Sequence, residues 1–270
     1  LAVSSGDGVK NVGLIEGAQA ELKATGNIYA FAINNTGIVR ANGSVTKNGR
    51  VILTAGGGSV VSSGAISARK VSSEQSAVSS QSSDGSQLTA YSSLNGGEIR
   101  IEGGFVGLGG RIDASGVGAA ASGEGGNGGS VTVSAGTLSL AGEILARGTP
   151  VSSEQLAASS QSSDGLQPTA YSLQPGTGGQ VTLTVAGRTL ETSSSLIDVS
   201  GANGGSITHI AGQQITSSGT YKAVGQAAPL ADGTTGNGGK IDVSAPATKL
   251  LSATIDASGT GDGGQIRIGG

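Results

Sequence analysis

The sequence predicts an all-β chain built as a parallel β-helix, on three observations. A unit opening on paired glycines recurs about seven times, each unit alternates apolar and polar residues over short stretches, and the composition suits a thin aliphatic core. Fifty-one Gly, two Phe, four Tyr and no Trp or Met leave little for a large aromatic core, while 36% hydrophobic residues suffice for a narrow one. Five Pro and irregular Gly spacing exclude collagen. A charged fraction of 12%, with recurring alternation, argues against disorder.

The units begin at Gly96 (GGEIRIEGG), Gly128 (GGSVTVSAG), Gly178 (GGQVTLTVAG), Gly204 (GGSITHIAG), Gly238 (GGKIDVSAP) and, truncated, Gly263 (GGQIRIGG). A looser copy starts at Asn48 (NGRVILTAGGG). Each reads as three short strands separated by turns. In the first, Val131, Val133 and Ala135 face a core while Thr132 and Ser134 face water. The second is carried by residues such as Leu138 and Leu140, and the third by pairs such as Ile112 and Ala114 or Ile255 and Ala257. Strands this short hold no sheet alone, so copies must stack, and about ten coils would make a rod on the order of 50 Å long. A propeller or a sandwich of hairpins is the alternative architecture, and it lacks its aromatic and two-residue-turn signatures here. We read residues 1–270 as one domain. Unequal spacing between glycine pairs requires loops to leave the coils at 71–95, 116–127, 151–177 and 220–237.

A net charge of −3 without a Lys/Arg cluster makes nucleic acid a poor partner. No run of eighteen apolar residues exists, and the first ten residues lack the regions of a signal peptide. With no Met in the chain, Leu1 is expected to follow a processing or excision point rather than to start translation. The absence of Cys removes disulfides and thiolate metal sites.

The segments GNIYAFAINNTGIVRANG (from Gly26), NGRVILTAGGG (from Asn48), the recurring IDASG and the final GDGGQIRIGG together resemble filamentous haemagglutinin-like exoproteins of bacterial two-partner secretion. The resemblance covers most of the chain outside the loops and is one of pattern. It implies a right-handed β-helix, export through an outer-membrane secretion barrel, and display or release outside the bacterial outer membrane. The family's Asn-Pro-Asn-Gly secretion domain has no match, so the resemblance implies a shaft segment.

Asp113, Asp198 and Asp256 share one repeat position and would form a carboxylate column in a polysaccharide-cleaving β-helix. The simpler reading, which we favour, makes them solvated residues at turn entries, since stacked carboxylates repel. GTGDGGQI at Gly259 resembles a calcium-binding roll once only, and Asn127, Asn203 and Asn237 before the glycine pairs are explained by left-handed backbone or stacked amides. His209, the single His, aligns with an inward column and Ile210 with an outward one; a local bulge flipping both is expected. Ser residues without an oriented base carry no nucleophilic chemistry. No cofactor, metal or catalytic residue is assigned, and the chain is read as a non-enzyme. Asn34 and Asn42 match glycosylation acceptor tripeptides.

One stretch, Val71–Tyr91, returns as Val151–Tyr171 with four substitutions, closer than the coils that carry it. Recent duplication is one account. The other makes each loop an ordered ridge anchored by Tyr91 and Tyr171, with Glu74, Asp84, Glu154 and Asp164 as further candidate assembly or receptor contacts. The expected function is a structural, self-associating extracellular shaft. The alternative is an adhesin whose loops bind a glycan or protein.

Overall fold

Residues 8–24, 31–43, 49–71, 94–118, 125–149, 176–226 and 235–270 are described by the computed structural model, and every regular element among them is a strand. The chain opens with β1 (Val9–Asn11), β2 (Leu14–Gly17) and β3 (Gln19–Lys23), then β4 (Phe31–Asn35), β5 (Ile38–Asn42) and β6 (Arg50–Thr54). It continues through β7 (Ser59–Ser62), β8 (Ala65–Val71), β9 (Leu94–Gly96), β10 (Glu98–Leu108), β11 (Arg111–Asp113), β12 (Ser130–Leu140) and β13 (Glu143–Leu145). The later strands are β14 (Gln180–Val185), β15 (Arg188–Glu191), β16 (Leu196–Asp198), β17 (Ser206–Ala211), β18 (Gln214–Ser217) and β19 (Thr220–Lys222). β20 (Lys240–Ser244), β21 (Ala247–Leu250), β22 (Thr254–Asp256) and β23 (Gln265–Gly269) complete the described strands.

These strands form two long parallel sheets, one of fourteen strands and one of nine. Pairing skips along the sequence, each strand bonding to its counterpart in the next repeat. The first column runs β3, β6, the front of β10, the front of β12, β14, β17, β20 and β23. A second runs β1, β4, β7, the back of β10, the back of β12, β15, β18 and β21. β2, β5, β8, β11, β13, β16, β19 and β22 make the third. Each column thus holds eight rungs among the described residues, fewer than the ten expected; at a strand spacing of about 4.8 Å they span roughly 34 Å. In β10 and β12 the first two strands of the unit merge into one eleven-residue strand, where the sequence suggested an intervening turn.

Like residues stack through the columns. Ala20, Val51, Ile99, Val131, Val181, Ile207 and Ile241 form one buried ladder; Val39, Ile66, Ile112, Ile144 and Ile197 form another. Burying each such side chain is worth about 1.5–3 kcal/mol. The glycine pairs have a steric cause. A Cβ on Gly129 would stand 2.1 Å from the Gly97 carbonyl oxygen, and one on Gly205 would stand 2.0 Å from that of Gly179. Successive backbones touch there, and no side chain fits between them.

Two loop assignments change. Residues Thr220–Lys222, expected to open a loop, are β19, with Tyr221 wholly buried in the core. Leu94 and Asn95, expected to close one, belong with Gly96 to β9, which pairs with the end of β8 in the one antiparallel contact among the described strands. The Asn residues before the glycine pairs also act differently than expected. Among the described residues only Ser252, of those other than Gly, has positive φ. Each Asn instead hands its side-chain oxygen to the next rung's backbone: Asn95 Oδ1 accepts from Asn127 N–H at 2.8 Å, Asn127 Oδ1 from Thr177 N–H at 2.8 Å, and Asn203 Oδ1 from Asn237 N–H at 2.9 Å. The ladder joins side chain to backbone rather than amide to amide.

Candidate functional site

The densest polar chemistry lies inside the core, at two consecutive rungs. Strand β15 inverts the usual alternation: Thr189 and Glu191 point inward while Leu190 is 54% exposed. In β17, His209 points inward at 0% exposure and Ile210 outward at 47%. The expected bulge is therefore absent: Leu183, His209 and Val243 pair in unbroken register from β14 through β17 to β20. Eight continuous rungs of backbone bonding fix the parity of that column, and flipping one residue would forfeit ladder hydrogen bonds on both sides.

The cluster is closed by its own hydrogen bonds. His209 Nδ1 lies 3.1 Å from the Tyr221 hydroxyl, and Nε2 lies 3.0 Å from Thr189 Oγ1. Tyr221 donates to Glu191 Oε2. Glu191 Oε1 faces His209 Nδ1 at 3.4 Å and has no hydrogen-bond partner. Ser217, one rung on from Glu191 in β18, accepts from Gly219 N–H at 3.2 Å. Burial takes the imidazole down to about 3 and pushes the Glu191 carboxyl up. Burial, and then the neighbouring Glu191 charge, hold the Tyr221 phenol well above its ordinary range. These shifts favour neutral groups throughout, as expected where charge is far from water. With His209 and Tyr221 fully buried and Glu191 nearly so, the cluster offers no surface on which a substrate could react in this conformation.

A second buried polar ladder lies at the other end of the stack, where Asn11 Nδ2 donates to Asn35 Oδ1 at 2.8 Å and Asn35 Nδ2 to Ser62 Oγ at 3.1 Å. Both ladders were missed as such in the sequence. Aligning the units strand by strand would have placed Glu191 opposite Leu140 and Asn35 opposite Ser62.

Asp113, Asp198 and Asp256 do share a column, in the order Ser67, Asp113, Leu145, Asp198, Lys222, Asp256, so no two carboxylates are adjacent. Their solvated character is corrected for two of them. Asp113 is 8% and Asp198 5% exposed. Each accepts the backbone N–H two residues on, Ser115 or Ser200, at 2.9 Å, and each meets an arginine: Arg111 at 3.0 Å and Arg147 at 2.7 Å. Burial pushes the Asp113 carboxyl up, but the bonds from Ser115 and Arg111 outweigh it and leave its pKa lowered. Asp256 keeps the same turn bond to Ser258, which holds its carboxyl below the usual value.

Asn34 is half-buried in β4, and Asn42, exposed at the end of β5, donates to Glu16 Oε1 at 2.9 Å. Tyr91, Tyr171, Glu74, Glu154, Asp84 and Asp164 lie outside the described residues. What the described part defines is a class: an all-β protein of two parallel sheets with aliphatic ladders and sealed polar inclusions. No family model, no curated protein and no solved structure matches the chain.

Proposed function

We propose that the chain is a right-handed parallel β-helix serving as a non-catalytic structural shaft segment of a filamentous haemagglutinin-like exoprotein, carried through an outer-membrane secretion barrel to the outside of a bacterial cell and self-associating there. The observation that carries this reading is the parallel register of three columns over eight rungs, interrupted among the described strands by one shift between Phe31 and Ile33 in β4, with one repeating interior. Crossovers between parallel strands are right-handed in nearly all proteins, which supports the sense of winding. A stack whose elements contact only their neighbours gains stability rung by rung and suits a rod.

One observation favours a second reading, an adhesin whose loops bind a glycan or protein. The first of the two duplicated insertions leaves the stack through the antiparallel clamp of β8 and β9, with Arg69 opposite Gly96, Lys70 opposite Asn95 and Val71 opposite Leu94. Such a clamp gives the insertion a defined exit. Electron microscopy of the intact chain, beside one in which residues 72–93 and 150–175 are replaced by short Gly-Ser turns, separates the readings. Filaments formed only by the intact chain support assembly through the insertions. Isolated rods from both would overturn self-association and leave the adhesin reading.

A further inference from the structure

Outside the core cluster, one cavity gathers basic side chains that the shaft reading does not use. It has a volume of about 410 Å³ and lies on the outer face of β5, β8 and β11. Strand pairing lays out its walls as a grid. Arg40, Ser67 and Asp113 stack on successive rungs, Asn42 and Arg69 pair beside them, and Arg111 pairs with Ala65 on the other flank. Ser67 is small and stands among longer neighbours, which creates the depression.

The charges in this grid are unequally satisfied. Arg111 is held by Asp113 at 3.0 Å and Glu143 at 3.3 Å, and Arg40 lies 3.8 Å from Glu16. Arg69 has no ion-pair partner among the described residues, and its Nε is buried without a hydrogen bond. A guanidinium nitrogen withdrawn from water and left unpaired costs folding free energy that an anion of matching shape would return.

We propose that this cavity binds a carboxylate, received by the Arg69 fork with Arg40 beside it, while Ser67 and Asn42 contact the hydroxyl or amide groups of the molecule that bears it. A guanidinium fork matches a planar carboxylate through two parallel hydrogen bonds. Glu16, Asp113 and Glu143 are taken up by Arg40 and Arg111, so Arg69 is the one of the three arginines left without a carboxylate at contact distance among the described residues. The volume, within the range of small-molecule pockets, leaves room for a sugar acid or an acidic side chain around that group.

The test is a titration of the whole chain, followed by calorimetry and by amide NMR shifts, with sodium glucuronate, with N-acetylglutamate amide and with neutral glucose. Saturable binding of either carboxylate with Kd of about 1 mM or tighter is expected, together with no saturation by glucose. Arg69→Gln should weaken binding at least tenfold, and Arg188→Gln, at an exposed position on β15, should leave it unchanged. Should Arg69→Gln fold poorly, Ser67→Glu supplies the second variant, because its own carboxylate would fill the site and abolish binding. Preference for glucuronate identifies the source as a sugar acid, and preference for the glutamate derivative identifies an acidic side chain. Equal uptake of glucose, absence of saturation by both carboxylates, or unchanged affinity in both variants overturns the proposal.

Discussion

Removing one member of the buried cluster should cost far more than removing all of it. In Tyr221→Phe the phenol oxygen disappears, and with it the bond to Glu191 Oε2 and the contact at 3.1 Å to His209 Nδ1. Glu191 Oε1 is already unpaired, so the variant leaves the carboxyl group in a dry core with Ser217 as its one remaining hydroxyl neighbour. Leaving a hydrogen-bonding partner of a charged or ionisable group unsatisfied costs about 3 kcal/mol. The combined variant Thr189→Val, Glu191→Leu, His209→Leu and Tyr221→Phe removes the polar groups together. Adjacent rungs already carry Leu140 beside Glu191, Leu183 beside His209 and Ile197 beside Tyr221, so apolar side chains suit those positions. Replacing a buried polar set by packed apolar residues is neutral or stabilising by about 1–4 kcal/mol. Urea unfolding followed by far-ultraviolet circular dichroism measures both, with a constant slope guarding against a change in cooperativity. A neutral Tyr221→Phe, or a combined variant that loses at least as much as the single one, would refute the reasoning.

Four further outcomes follow from the same geometry and from the glycines. His209 has its pKa lowered by burial from 6.5 to about 3, so the unfolded chain takes up a proton that the folded chain refuses. Its contribution is complete above about 6.5 and is lost as pH falls toward 3, by up to roughly 5 kcal/mol at about 1.4 kcal/mol per unit. Urea midpoints of the wild type should therefore fall relative to those of His209→Leu on going from pH 7 to pH 4, and parallel curves would contradict this. Glu191, raised by burial, acts in the opposite sense: its contribution is present below 4.5 and lost as pH rises, so the Glu191→Leu variant should gain on the wild type above that value. In the glycine ladder, Gly179→Ala puts a Cβ 2.1 Å from the Gly129 carbonyl oxygen and should cost about 3 kcal/mol by urea unfolding. Gly13→Ala, with nothing within 4 Å of the new carbon, should stay within about 0.5 kcal/mol of the wild type.

Strands and their inward aliphatic faces were legible in the sequence because Val131 and Val133 alternate with Thr132 and Ser134, and because glycine pairs open the six units from Gly96 onward. The polar inclusions were harder. Read locally, Arg-Thr-Leu-Glu at 188–191 puts Leu190 in the core, and Thr-His-Ile at 208–210 invites the same for Ile210. Their parity is set instead by pairing with the rungs on either side, a constraint that local hydrophobicity does not encode. Tyr221 was hidden for a related reason: Thr-Tyr-Lys at 220–222 has one apolar residue flanked by polar ones and no glycine pair before it, and only its pairing with Ile197 and Ile255 reveals a rung. The arginine cavity was beyond a linear reading, since Arg40, Arg69 and Arg111 meet only once three repeats of unequal length are laid side by side.

That inequality of length bears on how such a gene can change. The Asn-to-backbone bonds join residues 32, 50, 34 and 25 positions apart, and each forms at 2.8–3.0 Å. The stack therefore measures the chain in turns completed and is indifferent to how many codons a turn consumes. An insertion placed before a glycine pair can be copied, lengthened or lost in a single event while every rung keeps its neighbours. Near-identical segments carried by divergent rungs are compatible with such freedom, because the packing constraint acts on the rungs and leaves the length of each insert open.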